Sequence, residues 1–332
     1  MIAKTALKQF VYGLASVVVL GLGFTAEARA AAIIDNGTIQ LGVDDFGQLN
    51  IPGPPSAVGT PSVGLRFLPT NNEATAAGCL CEGWGVADSI SSVAAWANNN
   101  SGSANLILKS FSSTTDSATS IVANTTGIFE VTHKYIPDSR TPYLYRAEVT
   151  IKNTGSNAVD LRYRRVMDWD IEPTPFSEFS TIQGTAGASN VLFASNNGFA
   201  GSNPLEGSSS LGATGDFTDV GPFDHGALFD FGFGLLEAGK SFSFDIFYGA
   251  APTETLALSA LAAVGAEVYS FGQPAGGAES GEPNTFIFAF KGVGGSPVVP
   301  IPTPALLPGL IGLGLTVWRK RKGGTVQEQA NG

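Results

Sequence analysis

Residues 143–173, YLYRAEVTIKNTGSNAVDLRYRRVMDWDIEP, limit the possible folds more than any other stretch of this chain. Side chains on a β-strand alternate between two faces, so a strict period of two reads as a strand with one face inward. Tyr145, Ala147, Val149 and Ile151 form one face, and Arg146, Glu148, Thr150 and Lys152 the other. NTGSNA has the turn chemistry of a hairpin loop. In the strand that follows, Leu161, Tyr163, Met167, Trp169 and Ile171 share a face interrupted by Arg165, opposite Arg162, Arg164, Val166, Asp168, Asp170 and Glu172.

Similar but shorter patterns recur. LILKSF, ATSIVANT, IFEVTHKYIP, AGKSFSFDIFYGA and TFIFAFKGV read as strands, with Phe129, Val131 and His133 on one face. The 42 glycines and only 14% charged residues suit short strands joined by many turns. Hydrophobic residues at 43% supply enough apolar material for a packed core. TETLALSALAAVGAEV is the one helical pattern, near 253–266. Glu254 favours its N-terminus, and Leu256, Leu258, Leu261 and Val264 form the expected buried face. The predicted fold is all-β, an antiparallel β-sandwich with one short helix. Its long strands around the NTG loop resemble the large supersandwich of sugar mutarotase-like domains, a likeness of fold only.

Both ends carry targeting features. Lys4 and Lys8 precede an apolar run without charges, and Ala28 and Ala30 offer A-x-A cleavage positions, so 1–30 reads as a signal peptide. At the other end, Pro302-Thr303-Pro304-Ala305 leads into a Leu/Gly-rich run closed by Arg319, Lys320, Arg321 and Lys322. Residues 305–318 would span about 21 Å as a helix, short of the roughly 30 Å hydrocarbon core. The positive-inside rule keeps the four cations in the cytoplasm and everything upstream outside. The three-part layout over 302–322 resembles the PEP-CTERM class of sorting signals, in the PTPA variant of cyanobacterial type. That resemblance implies processing by an exosortase-like enzyme after transient membrane insertion, with signal peptidase acting at the other end. It also implies a destination in exopolysaccharide, biofilm or surface layers, outside the cell or in its envelope. The expected organisation is signal peptide 1–30, β-sandwich ectodomain 31–292, Pro/Gly linker 293–301, sorting signal 302–322 and cytoplasmic tail 323–332, with hydrophobic targeting helices at both termini.

Without its ends the chain keeps 11 basic and 26 acidic residues, net −15. Such a surface disfavours nucleic acid and anionic lipid as partners and suits a protein that takes up divalent cations. Asp168, Asp170 and Glu172, spaced i, i+2, i+4, would stand about 6.5–7 Å apart in succession along a strand. Three readings stay open for them. One is a solvated face with Arg162 and Arg164 paired to neighbouring strands; another is a calcium site completed by loop carbonyls. The third is the acid/base pair of a glycosidase. Asp224-His225 with Asp216, Asp219 and Asp230 forms a second group, with His225 as its only candidate base. No G-x-S-x-G or other nucleophile signature is present, so no catalytic residue and no cofactor beyond calcium is expected. Cys79 and Cys81 fit a local disulfide or two buried thiols rather than zinc. The leading expectation is a non-enzymatic, exported cell-surface or matrix protein. The alternative is a carbohydrate-binding or carbohydrate-active sandwich, with Trp84, Trp96 and Trp169 as candidate stacking rings.

Overall fold

The computed structural model describes residues 30–276 and 281–299. The signal peptide, the sorting motif at 302–305, the cations at 319–322 and both terminal targeting helices lie outside the described residues. Within them the chain is almost wholly antiparallel β with one α-helix. No helix among the described residues is long and apolar enough to cross a membrane.

Nine strands form the larger sheet. In spatial order they are Phe217–Phe223, Glu178–Gln183, Val268–Pro274, Thr285–Lys291, Ser241–Ala251, Leu144–Asn153, Phe129–Pro137, Ala118–Asn124 and Leu106–Ser113. Five strands form the second: Val191–Ser195, His225–Leu236, Val159–Trp169, Gly83–Asp88 and Val93–Asn98. The two pack face to face, as ring contacts between them show. Tyr163 meets Phe244 edge-on at 5.0 Å, and Phe290 lies 4.9 Å from Phe229 and 4.8 Å from Phe231. Aromatic pairs in offset and edge geometries add about 0.5–1.5 kcal/mol each beyond the area they bury. A four-stranded sheet of Ala31–Asp35, Ile39–Asp44, Leu65–Phe67 and Asn72–Glu73 adds Ile34, Ile39, Leu41, Val43, Leu65 and Phe67 to the same core.

One expectation is corrected by the strand pairing. NTGSNA does not close a hairpin. Leu144–Asn153 pairs with strands of the larger sheet, and Val159–Trp169 pairs with Gly83–Asp88 and His225–Leu236 in the smaller one. The loop is an arch from one layer to the other. Asn153 holds it, its Nδ2 donating to the carbonyls of Asn157 and Leu236 at 2.8 Å each. Period two still places the named inward faces correctly: Tyr145, Ala147, Val149, Ile151, Leu161, Tyr163, Met167 and Trp169 are all in the core.

The helix, Glu254–Val264, starts at Thr253, whose side chain accepts from the Leu256 amide, and ends at Gly265 in the left-handed region. It lies on the outer face of the larger sheet, where Phe247, Ile287, Ala289 and Phe271 are buried against it. The face it presents is Ala257, Ala260, Leu261 and Val264, whereas Leu256 is exposed. Alanines let the helix approach closely over bulky Phe247 and Ile287, so small size decides here rather than hydrophobicity. Strand Thr285–Lys291 is therefore buried on both faces, with Phe286, Phe288 and Phe290 turned to the opposite core.

The expected linker is held against the domain as far as Val298. Amides of Gly292, Val293 and Gly295 donate to the Glu267 carboxylate, and the Val298 amide donates to the Ala266 carbonyl.

Candidate cation site

Strand Val159–Trp169 ends beside a loop that returns from Gly78, and the chain beyond it carries the acidic residues singled out in the sequence. Asp168 and Asp170 are buried, not solvated. Two segments cover them. Residues 196–206 lie across the outer face of the strand: Arg164 donates to the carbonyls of Gly201 and Glu206. Gly198 and Gly226 sit directly against Asp168. A Cβ on Gly198 would stand 2.6 Å from Asp168 Cα, and one on Gly226 only 2.1 Å from the Met167 carbonyl. Only glycine allows that approach. On the other side the Gly78 amide donates to Asp170 Oδ2 at 3.0 Å, and Cys79 Sγ stands 3.2 Å from Asp168 Oδ2. Cys79 and Cys81 form a disulfide, so that contact carries no thiol proton.

Glu172 does not join them. Its Oε1 accepts from Ser56 and Thr60 hydroxyls at 2.6 Å, and its Oε2 from the Glu73 amide at 2.9 Å. Its role is to tie the 56–60 loop to the Asn72–Glu73 strand. The third carboxylate is Asp224, from the other expected group. Ligand oxygens of Asp168, Asp170 and Asp224 lie within 4.8 Å of one another, and Asp224 is exposed. Glu178 adds a fourth charge nearby: its Oε1 accepts from the His225 amide at 3.0 Å. Nothing in the local sequence around Glu178 marks it, because it arrives through the pairing of strand Glu178–Gln183 with Phe217–Phe223.

Three oxygens of this cluster, Asp168 Oδ1, Asp170 Oδ1 and Glu178 Oε2, are buried with no hydrogen-bond partner. A buried, unpaired polar group costs roughly 1–3 kcal/mol, and a charged one more. The carboxyls respond accordingly. Burial, reinforced by Asp170, Asp224 and Glu178, pushes Asp168 up to about 9. Burial pushes Asp170 up to about 7 and Glu178 up to about 9, and it raises Asp224. The arginines of the same strand give no relief. Arg162 pairs with Asp160, Arg164 grips Asp230 through two bonds of 2.6 and 2.9 Å, and Arg165 pairs with Glu82. Oxygen donors alone, crowded and without a cationic side chain, suit a hard divalent cation such as calcium, which takes six to eight oxygens.

The remaining residues of the second group are committed to structure. Asp216 accepts from the amide and hydroxyl of Thr185, and Asp219 exchanges hydrogen bonds with Thr181. His225 is buried between Asn196 and the Glu178 carbonyl. A carbonyl only accepts, so Nε2 carries the proton and Nδ1 accepts from Asn196. Burial holds this ring neutral, down at about 4, and no lone pair is left for a base. Trp84 and Trp169 are buried, with indole N–H groups bonded to the Phe46 carbonyl and the Ser270 hydroxyl, and Trp96 is half-buried. The expected tryptophan stacking surface is therefore absent at positions 84 and 169.

No protein-family model matches the chain, and no curated protein matches it. Among solved structures, a galactose mutarotase-like protein from Lactobacillus casei aligns over 79% of this chain and 87% of its own. The identity is 9% and the TM-score 0.32. A galactose mutarotase related enzyme from Lactobacillus acidophilus covers 79% and 85%, at 8% identity and TM-score 0.30. Likeness at that level assigns neither a family nor an activity.

Proposed function

We propose that this chain is an exported, non-enzymatic surface or matrix protein whose β-sandwich takes up a divalent cation, calcium by donor chemistry, at Asp168, Asp170 and Asp224, with Glu178 beside them. The support is the site's geometry: ligand oxygens of Asp168, Asp170 and Asp224 lie within 4.8 Å of one another, and Asp168 Oδ1 and Asp170 Oδ1 are buried without a hydrogen-bond partner, with every arginine of the strand paired elsewhere. Export rests on the two terminal signals, with an exosortase-like enzyme cutting near Pro302–Ala305 and the surface polysaccharide layer as the destination. A sandwich of the mutarotase-like supersandwich type is the proposed architecture. His225, the one candidate base of the second group, has both ring nitrogens engaged.

The test is thermal unfolding of the mature protein with calcium and with EDTA. A ligand present at 100 times its Kd stabilises by about 2.7 kcal/mol. For a domain of this size that is roughly 5–10 °C. Asp168→Asn/Asp170→Asn should melt higher than the parent in EDTA, because the repulsion is gone, and should no longer respond to calcium. Coincident melts with calcium and EDTA refute the cation site. Recovery from culture of mature protein still carrying Arg319–Lys322 refutes the processing.

A further inference from the structure

Among the described residues, only three phenylalanines have exposed rings: Phe176 (49%), Phe199 (46%) and Phe223 (38%). All three sit next to residues of this site: Phe176 and Phe199 come from loops, and Phe223 ends strand Phe217–Phe223, paired opposite Glu178. A Cβ on Gly78 would stand 2.7 Å from Phe176 Cε1 and 2.9 Å from Asp170 Oδ2, so ring and carboxylate flank one point. Phe199 follows Gly198, the residue laid on Asp168. Phe223 precedes Asp224 and packs its ring on His225 at 4.1 Å. Phe176 holds its position at φ 68, a left-handed conformation unusual for a bulky residue. Exposed aliphatic side chains such as Ile90 and Leu235 lie elsewhere, but among the described residues every other aromatic residue is buried or half-buried, so exposed rings are found only beside this site.

We propose that the cation and these three rings together bind a neutral saccharide through a vicinal pair of hydroxyls. This rests on the cation reading above. The protein carboxylates lie on the buried side of the site, and Asp224 marks the open side. An ion taking six to eight oxygens has positions left toward solvent, and two adjacent sugar hydroxyls supply oxygens at the right spacing. The apolar C–H faces of the sugar then pack on phenyl rings. Charge selects within this class. Three or four carboxylates outweigh one divalent cation, so the loaded site stays negative and repels uronates and sulfated glycans.

The test uses the mature chain and a panel of neutral glucose-, mannose- and galactose-containing oligosaccharides alongside uronic-acid oligomers, each with calcium and with EDTA. Calcium affinity is measured separately by calorimetry. Neutral oligosaccharides should bind in calcium and be released by EDTA. Phe176→Ala and Phe223→Ala should each weaken saccharide binding roughly twofold to tenfold, from the contribution of one aromatic contact, with calcium affinity unchanged. Asp170→Asn should lose both. Calcium binding with no neutral saccharide bound overturns this proposal and leaves the cation site standing. Saccharide binding insensitive to EDTA, or preference for uronic-acid oligomers, also overturns it. Absence of calcium binding overturns the cation reading as well.

Discussion

Glu82 and Arg165 form an ion pair with both side chains fully buried between the sheets. Arg165 Nε donates to Glu82 Oε1 at 2.6 Å, the Leu49 amide to Oε2 at 2.6 Å, and the Tyr248 hydroxyl to Oε1 at 3.1 Å. Tyr135 and Tyr163 hydroxyls stand at 3.3 and 3.5 Å from the guanidinium, which lies 5.5 Å over the Tyr248 ring. Breaking a buried pair by removing one partner costs about 3–5 kcal/mol, because the other charge stays buried. The two halves are not equivalent. Arg165 cannot lose its proton, and Glu82 held above the ordinary carboxylate range by burial can gain one. Glu82→Gln therefore strands a permanent cation. It should cost about 3–5 kcal/mol at every pH from 5 to 8, roughly 6–20 °C in Tm. Arg165→Met leaves a carboxyl that neutralises itself. Its cost should be smaller than that of Glu82→Gln at pH 7 and should shrink further towards pH 4.5, where the unfolded chain is protonated as well. Glu82→Leu/Arg165→Met should recover most of the loss, since apolar replacement of a whole buried pair is often neutral or better. The assay is urea unfolding followed by near-UV circular dichroism across pH. A Glu82→Gln cost below about 1 kcal/mol, or a pH-independent Arg165→Met cost, refutes the reasoning.

The chain has two histidines, and both are buried and neutral: His133 lies well below its usual value through burial and Arg165, and His225 lies at about 4. A depressed folded pKa means that the unfolded chain binds more protons, so stability is present above about pH 6.5 and lost as pH falls below it. His133→Gln should flatten that descent, by up to about 1.4 kcal/mol per pH unit as pH falls below 6.5, measured by urea unfolding of both proteins across pH, while the carboxylate contributions common to both cancel. An unchanged slope would remove His133 from the account. Gly226→Ala should cost about 1–3 kcal/mol, because its Cβ meets the Met167 carbonyl and the Gly198 Cα, both backbone. It should also weaken calcium binding by displacing Asp168, and a neutral melt would show that the 196–206 segment is not held there.

Period two was sufficient to sort the strand faces, because which side of a strand a residue occupies depends only on its near neighbours. Layer assignment was not readable in the same way. NTGSNA has the same turn residues whether the chain folds back within one sheet or arches to the other, and the partners that decide, Gly83–Asp88 and His225–Leu236, are far away in sequence. The helix face held at Leu261 and Val264, with Leu258 packed against its edge, but not at Leu256: Leu256 outranks Ala257 in hydrophobicity, yet the closeness of Phe247 and Ile287 favours the small residue.

The acidic strand end shows where sequence and structure part most sharply. Six charged residues at 162, 164, 165, 168, 170 and 172 look self-neutralising on paper, three of each sign. In the fold each arginine has its acid elsewhere: Asp160, Asp230 and Glu82. Glu172 is satisfied by two hydroxyls and an amide. Asp168 and Asp170 are thus left over by pairing to Asp160 on the same strand and to Asp230 and Glu82 far along the chain, and the strand topology then adds Glu178 and Asp224 to them instead of a base. A fold that commits every nearby guanidinium to another acid, and roofs the remainder with Gly198 and Gly226, has two ways to neutralise these carboxyls: protons or a metal ion. Protonation alone would add no partner for Asp168 Oδ1, Asp170 Oδ1 and Glu178 Oε2, whereas one hard cation on the Asp224 side would engage the aspartates together and offset the charge of Glu178.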